Sequence, residues 1–131
     1  MSKRNSVKKV LIVEDETDVA ELARLAIEAD DIEVTTAFDG LSAIDEIARI
    51  RPDLVLLDVM MPTVDGFDLC KRLKDDPDTE DILVVLFTAA NEPFIIERIV
   101  GVGANDYVMK PVEGAKLEHK IRALLGLSPK T

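Results

Sequence analysis

Two kinds of segment alternate along the chain. Lys9-Val-Leu-Ile-Val13 is a short, nearly continuous apolar run, the pattern of a central parallel strand covered on both faces. Val19, Leu22, Ala23 and Ala26 then recur at helical spacing through a polar background. Ile32-Glu-Val-Thr-Thr-Ala37 alternates instead, which predicts a strand with a more exposed face near a sheet edge. Asp39-Gly40 marks a turn into a second helix, with Ile44, Ile47 and Ala48 expected to face inward and Pro52 to close it. Leu54-Val-Leu-Leu57 is a third strand, again apolar throughout.

The second half repeats the alternation. Asp65-Gly66 precedes a helix with Phe67, Cys70 and Leu73 on one side, and Ile82 to Phe87 forms the fourth strand. Pro93 suits the start of a fourth helix, where its missing N–H costs nothing, and Gly101 and Gly103 end that helix. A short fifth strand runs from about Asp106 to Met109, and Leu117, Ile121, Leu124 and Leu125 give the last helix its buried stripe.

Five strand–helix units in strict alternation predict an α/β fold, a parallel sheet with helices on both faces. Length and alternation fit a (βα)5 doubly wound, flavodoxin-like sheet with strand order 2-1-3-4-5, which puts the alternating second strand at an edge. The 131 residues, 47% of them apolar, suffice for one domain, expected over residues 8–127. Residues 1–7 read as a basic leader and 128–131 as a C-terminal tail.

Charge narrows the function. A formal net charge of −10 works against direct nucleic-acid binding, which gains affinity from clustered Lys and Arg. Such a cluster occurs only at Lys3, Arg4, Lys8 and Lys9, which reads as a solvated leader before the first strand. The longest apolar stretch, Ile82 to Phe87, is far too short to span a bilayer, and no secretory signal opens the chain. The single cysteine, Cys70, excludes an internal disulfide framework and agrees with a reducing cytoplasm.

In an open parallel sheet, ligands bind outside the carboxyl ends of the strands. Glu14 and Asp15 follow the first strand, Asp58 the third, Thr88 the fourth, and Lys110 with Pro111 the fifth. Three acids, a hydroxyl and an amine are therefore expected on one rim. Carboxylates held together repel unless a cation sits among them, and oxygen-only donors favour a hard ion, Mg2+ above all. Mg2+ is usually held by one or two carboxylates plus a phosphate, so a phosphoryl ligand is implied. Lys110 offers it a point charge and Thr88 a hydroxyl donor. Asp58, at the end of the central strand, is the best nucleophile for such a group.

The set Glu14-Asp15, Asp58 in Leu-Leu-Asp-Val-Met-Met-Pro, Asp65-Gly66, Thr88-Ala89, Asp106-Tyr107 and Lys110-Pro111 resembles the receiver domains of bacterial two-component response regulators. The resemblance covers residues 8 to 126. It implies that Asp58 accepts a phosphoryl group from a sensor histidine kinase or a phosphotransfer protein. It also implies that Asp15, Asp58 and the Met60 carbonyl hold Mg2+ directly, with Glu14 acting through water. Glu14 stands where many relatives carry a second aspartate. Lys110 would contact the phosphoryl group, Thr88 would move to meet it, and Tyr107 would turn inward after Thr88. The Lys110–Pro111 bond would be cis. The output would be a partner protein or a self-dimer through the fourth helix, fifth strand and fifth helix, with Ile95, Arg98, Asp106 and Arg122 on that face.

Plainer readings stand beside these. Glu14, Asp15 and Glu16 also suit a helix N-terminus. Tyr107 also suits an edge-strand aromatic, Cys70 a packed inert thiol, and His119 a surface position. The alternative function is a Mg2+-dependent phosphatase with an aspartyl-phosphate intermediate, but that chemistry wants an acid where Met60 stands. A flavin site would need a hydroxyl- or glycine-rich loop in place of Glu14-Asp15-Glu16. Turnover of an outside substrate is not expected. Met60 and Ala90, two residues past Asp58 and Thr88, cannot activate water, so a long-lived acyl phosphate is expected.

Overall fold

A computed structural model describes residues 7–62, 64–89 and 94–130. The expectations for Lys3, Arg4, Ala90 and Pro93 fall outside the described residues. Five parallel strands, β1 (Lys8–Val13), β2 (Ile32–Ala37), β3 (Leu54–Asp58), β4 (Leu83–Thr88) and β5 (Asp106–Met109), form one sheet in the order β2-β1-β3-β4-β5. The helices are α1 (Thr17–Ile27), α2 (Gly40–Ile50), α3 (Gly66–Asp75), α4 (Ile95–Gly101) and α5 (Gly114–Leu124). This is the doubly wound, flavodoxin-like topology expected from the alternation. No helix among the described residues is long and apolar enough to cross a membrane.

The central strands read as continuous apolar runs because both of their faces are covered. Successive side chains point to opposite sides of the sheet. Val10, Ile12, Leu54, Leu56, Val85 and Phe87 face α1 and α5, where Ala20, Ile27, Leu117 and Ile121 close one core. Leu11, Val13, Val55, Leu57, Val84 and Leu86 face α2, α3 and α4, where Ala43, Ile47, Phe67, Leu73 and Ile99 close the other. Strand β2 pairs on one side only and keeps half-buried positions, as its alternation required.

Two helical stripes differ from the expectation. In α1 the buried positions are Ala20, Ala23 and Ile27, while Leu22 is 69% exposed. In α2 they are Gly40, Ala43 and Ile47, and Ile44 and Ala48 lie outside. Bulk misled the reading, because each buried face combines small residues with a single isoleucine, Ile27 or Ile47, and at Gly40 there is no room even for a methyl group. A Cβ at Gly40 would sit 1.9 Å from Val64 Cγ2. Local stops behave as the turn chemistry requires. The Asp39 carboxylate accepts the Ser42 N–H at 2.7 Å to cap α2, and Arg51 ends that helix in the left-handed region, φ 48°, just before Pro52.

One element has no counterpart in the sequence reading. Met60–Met61 pairs antiparallel with Val64–Asp65 in a two-residue ladder directly after β3. It folds the loop back so that Gly66 lies on the β3 end. A Cβ there would stand 2.5 Å from the Asp58 carbonyl oxygen and 2.6 Å from Val59 Cα. Both neighbours are backbone and cannot swing aside. Gly66→Ala is therefore expected to lose about 1–3 kcal/mol in urea denaturation, the usual cost of overpacking. Gly101→Ala meets nothing within 4 Å. It is expected to be neutral or to gain up to about 1 kcal/mol through helix propensity.

Candidate functional site

The carboxyl ends of β1, β3, β4 and β5 carry the polar side chains that the sequence singled out. Backbone bonds extend the sheet one residue past its strands and so fix their positions. Glu14 N–H donates to the Ala37 carbonyl at 3.0 Å, Val59 N–H to Phe87 at 3.1 Å, and Lys110 N–H to Thr88 at 2.7 Å. Glu14, Asp58 and Thr88 are buried, and Asp15 is half-buried. The Lys110–Pro111 peptide is cis.

Lys110 lies at the centre of the rim. Its ammonium is 2.8 Å from Glu14 Oε1 and 3.4 Å from Asp58 Oδ2, and it sits 4.9 Å above the centre of the Phe87 ring. The other Asp58 oxygen, Oδ1, accepts the Met60 N–H at 2.9 Å. The other Glu14 oxygen accepts the Glu16 N–H at 3.1 Å. The helix-start role is thus divided: Glu16 occupies the N-cap of α1 without a side-chain cap bond, and the Glu14 carboxylate takes up its N–H instead.

Carboxylate oxygens of Glu14, Asp15 and Asp58 lie within 4.8 Å of one another. One ammonium cannot balance three acids. Burial pushes the Glu14 carboxyl up to about 7, and the Asp58 charge adds to the rise, while the Lys110 and Glu16 N–H bonds pull it down. Burial alone would lower Lys110. The Glu14 hydrogen bond and the charges of Asp58 and Glu14 outweigh it and hold the ammonium above its ordinary range. The rim therefore carries surplus negative charge on oxygen donors alone, which suits a hard divalent cation.

The remaining expected residues are placed less centrally. The Met60 side chain is 66% exposed, beside the site only through its backbone. Tyr107 is half-buried and packs against the core on the α4 side of the sheet, one strand position before Val108.

Comparison with known proteins decides the family. The family model for the response regulator receiver domain matches residues 10–122. The chain belongs to that family. Receiver domains are signalling modules of two-component systems, generally not turnover enzymes. This receiver is 42% identical over 118 residues to the response regulator PleD of Caulobacter vibrioides, covering 88% of this chain and 26% of that protein. It is 40% identical over 116 residues to the transcriptional regulatory protein CseB of Streptomyces coelicolor, covering 88% of this chain and 48% of that protein. The chain thus spans about a quarter to a half of these relatives. Among solved structures, the receiver domain of a signal transduction histidine kinase from Syntrophus aciditrophicus matches with a TM-score of 0.83 at 33% identity. That match covers 95% of this chain and 94% of the other. The receiver domain of a DNA-binding response regulator from Colwellia psychrerythraea matches at 0.80 and 30%, covering 91% and 98%.

On the expected readout face of the receiver, Arg98 and Asp106 are partly exposed, and Asp106 pairs with Lys120 at 3.1 Å. Arg122 does not belong there. It is buried and grips Asp31 with both guanidinium arms, at 2.9 and 2.6 Å, while its Nε donates to the Ser128 carbonyl. It directly follows the fully buried Ile121 on α5, so it is carried toward the turn between α1 and β2. No local pattern around Arg122 distinguishes it from a solvated arginine, since its partner lies 91 residues away.

His119 is exposed. Cys70 is buried, its Sγ 3.7 Å from the Val102 carbonyl, and burial pushes the thiol up to about 11. At pH 8 the native chain is therefore expected to resist iodoacetamide until it unfolds, when alkylation should become fast. Intact mass after timed labelling, with and without urea, reads this. Rapid labelling of the folded chain would contradict the packed-thiol reading.

Proposed function

We propose that this receiver takes a phosphoryl group onto Asp58 from the phosphohistidine of a sensor kinase or phosphotransfer protein in the cytoplasm. The observation that carries this reading is the Asp58 carboxylate itself, buried at the end of the central strand with each oxygen already assigned a neighbour. In the transfer an Asp58 oxygen bonds to phosphorus as the phosphorus–nitrogen bond of the donor breaks. The imidazole leaves with the electron pair. Lys110, close to Asp58 Oδ2, offers its charge to the phosphoryl oxygens and exchanges a carboxylate partner for a phosphoryl one.

Asp15, Asp58 and the Met60 carbonyl would hold Mg2+, with Glu14 through water, and the ion would neutralise charge building on the phosphoryl oxygens. Thr88 supplies a hydroxyl from the end of β4, and Tyr107 on β5 follows its movement. The output surface is α4, β5 and α5, read by a partner protein or a second copy, with residues 8–127 as the working unit. A phosphatase acting on outside esters is disfavoured, because the position where that chemistry places an acid holds the exposed Met60.

Incubation with Mg2+ and a small acyl phosphate donor is expected to add one phosphoryl group by intact mass, lost in Asp58→Asn and without Mg2+. A gain that persists in Asp58→Asn would displace the nucleophile. Asp15→Asn is expected to weaken Mg2+ binding by at least the ~10–100-fold typical of losing a group that supports a metal site, read by titration calorimetry. The acyl phosphate should be long-lived, because the Met60 thioether cannot orient water. Met60→Asn is expected to speed its decay severalfold, and an unchanged rate would refute that role.

A further inference from the structure

Helix α4, at seven residues, is the shortest of the five. It begins at Phe94, in the left-handed region at φ 68°, without a side-chain cap, and Ile99 is its one buried residue. Ile95 and Val102 pack against the same core, and Arg98 adds a further hold, because its side chain leaves the helix and reaches the segment that follows Asp58. The guanidinium carbon lies 3.9 Å from the centre of the Phe67 ring, and Nη2 lies 3.8 Å from Asp65 Oδ2. Neither contact is strong by itself, since the Arg98 and Asp65 side chains are about half exposed. Their importance lies in where they end.

Asp65 is a junction. Its Oδ1 accepts the Phe67 N–H at 2.8 Å and so starts α3, and its backbone pairs with Met60 in the short ladder. Met60 in turn donates its N–H to Asp58. Phe67 is buried, so its ring is fixed by the α3 core and offers the guanidinium a rigid face. Gly66, between these two residues, rests on the Asp58 carbonyl. Arg98 therefore grips both residues flanking the glycine that touches the phosphoacceptor strand.

We propose that Arg98 is a positioning residue that ties α4 to the loop carrying Asp58 and Met60, so that any displacement of that loop moves α4 directly. This route runs through α3 and its cap, separate from Thr88 and Tyr107. Its link to phosphorylation rests on the reading of Asp58 given above, but the mechanical tie does not.

Amide hydrogen exchange on the full chain tests the tie without any ligand. Arg98→Met removes both guanidinium contacts and leaves the helix length and apolar stem. It is expected to speed exchange at the Gly66 and Phe67 amides, across the gap, by on the order of threefold to tenfold. Asp65→Asn keeps a good cap acceptor but removes the charge. It should speed exchange at the Arg98 amide of α4 and at the Val102 amide that caps it. Ile12 and Leu56 amides serve as controls for global stability and should not change in either variant. If each substitution alters exchange only on its own element, or if the control amides rise in step, the tie is refuted.

A second arm adds Mg2+ with beryllofluoride as a phosphoryl mimic. Protection changes in α4 should accompany those at residues 58–61 in the native chain and be reduced in Arg98→Met. No response at residues 58–61 of the native chain would refute the Asp58 reading, while the ligand-free comparison would still decide the tie. Equal α4 responses in the native chain and Arg98→Met would refute the coupling.

Discussion

One ammonium shared between two buried carboxylates organises this molecule. Lys110 lies within 3.4 Å of both Glu14 and Asp58, and Asp15 adds a third acid beside them. Burying such groups is unfavourable unless opposite charge compensates them. One lysine compensates in part, and the remainder appears as the raised Glu14 carboxyl. The rim is thus folded in a state that a divalent cation would relieve, and the same cation would offset the charge that a phosphoryl group brings. Strain of this kind is what makes a surface responsive to a small ligand.

The rest of the fold holds that arrangement in place. Central strands covered on both faces cannot slide, since each alternate side chain sits in a different core. Their carboxyl ends therefore present Glu14, Asp58, Thr88 and Lys110 at fixed heights, and three backbone bonds at or just beyond the strands lock all four ends. The segment after β3 is pinned between the short ladder and Gly66. The strands thus hold the rim fixed, while the short α4 buries one residue, Ile99, on the same core.

Most of this was legible in the sequence, and each exception has a physical cause. Strand order followed from the alternation of strands and helices and from the half-exposed pattern of β2, because burial on one or two faces writes itself into residue pattern. The rim residues followed from their place immediately after apolar runs. The α1 and α2 stripes were misread because the buried faces hold the small Ala20, Ala43 and Gly40 while the bulkier Leu22 and Ile44 stay exposed, and at Gly40 the approach of Val64 leaves no room for a side chain. Arg122 was assigned to the surface although it grips Asp31, and the ladder after β3 was not anticipated. The Arg122 partner is set by tertiary packing, and the ladder is a two-residue hairpin too short to leave a periodicity. Lys110 over the Phe87 ring belongs with them.

The claim that the rim is built around missing positive charge has a direct test in urea denaturation of the native chain and Asp58→Asn, with chelator and with Mg2+. Asn keeps an acceptor for the Met60 N–H but removes one buried charge. In chelator, Asp58→Asn should therefore be at least as stable as the native chain. With Mg2+ at about 100 times its dissociation constant, the native chain should gain about 2.7 kcal/mol, and the variant should lose most of that gain. A variant that is less stable in chelator yet responds to Mg2+ as fully as the native chain would contradict the account.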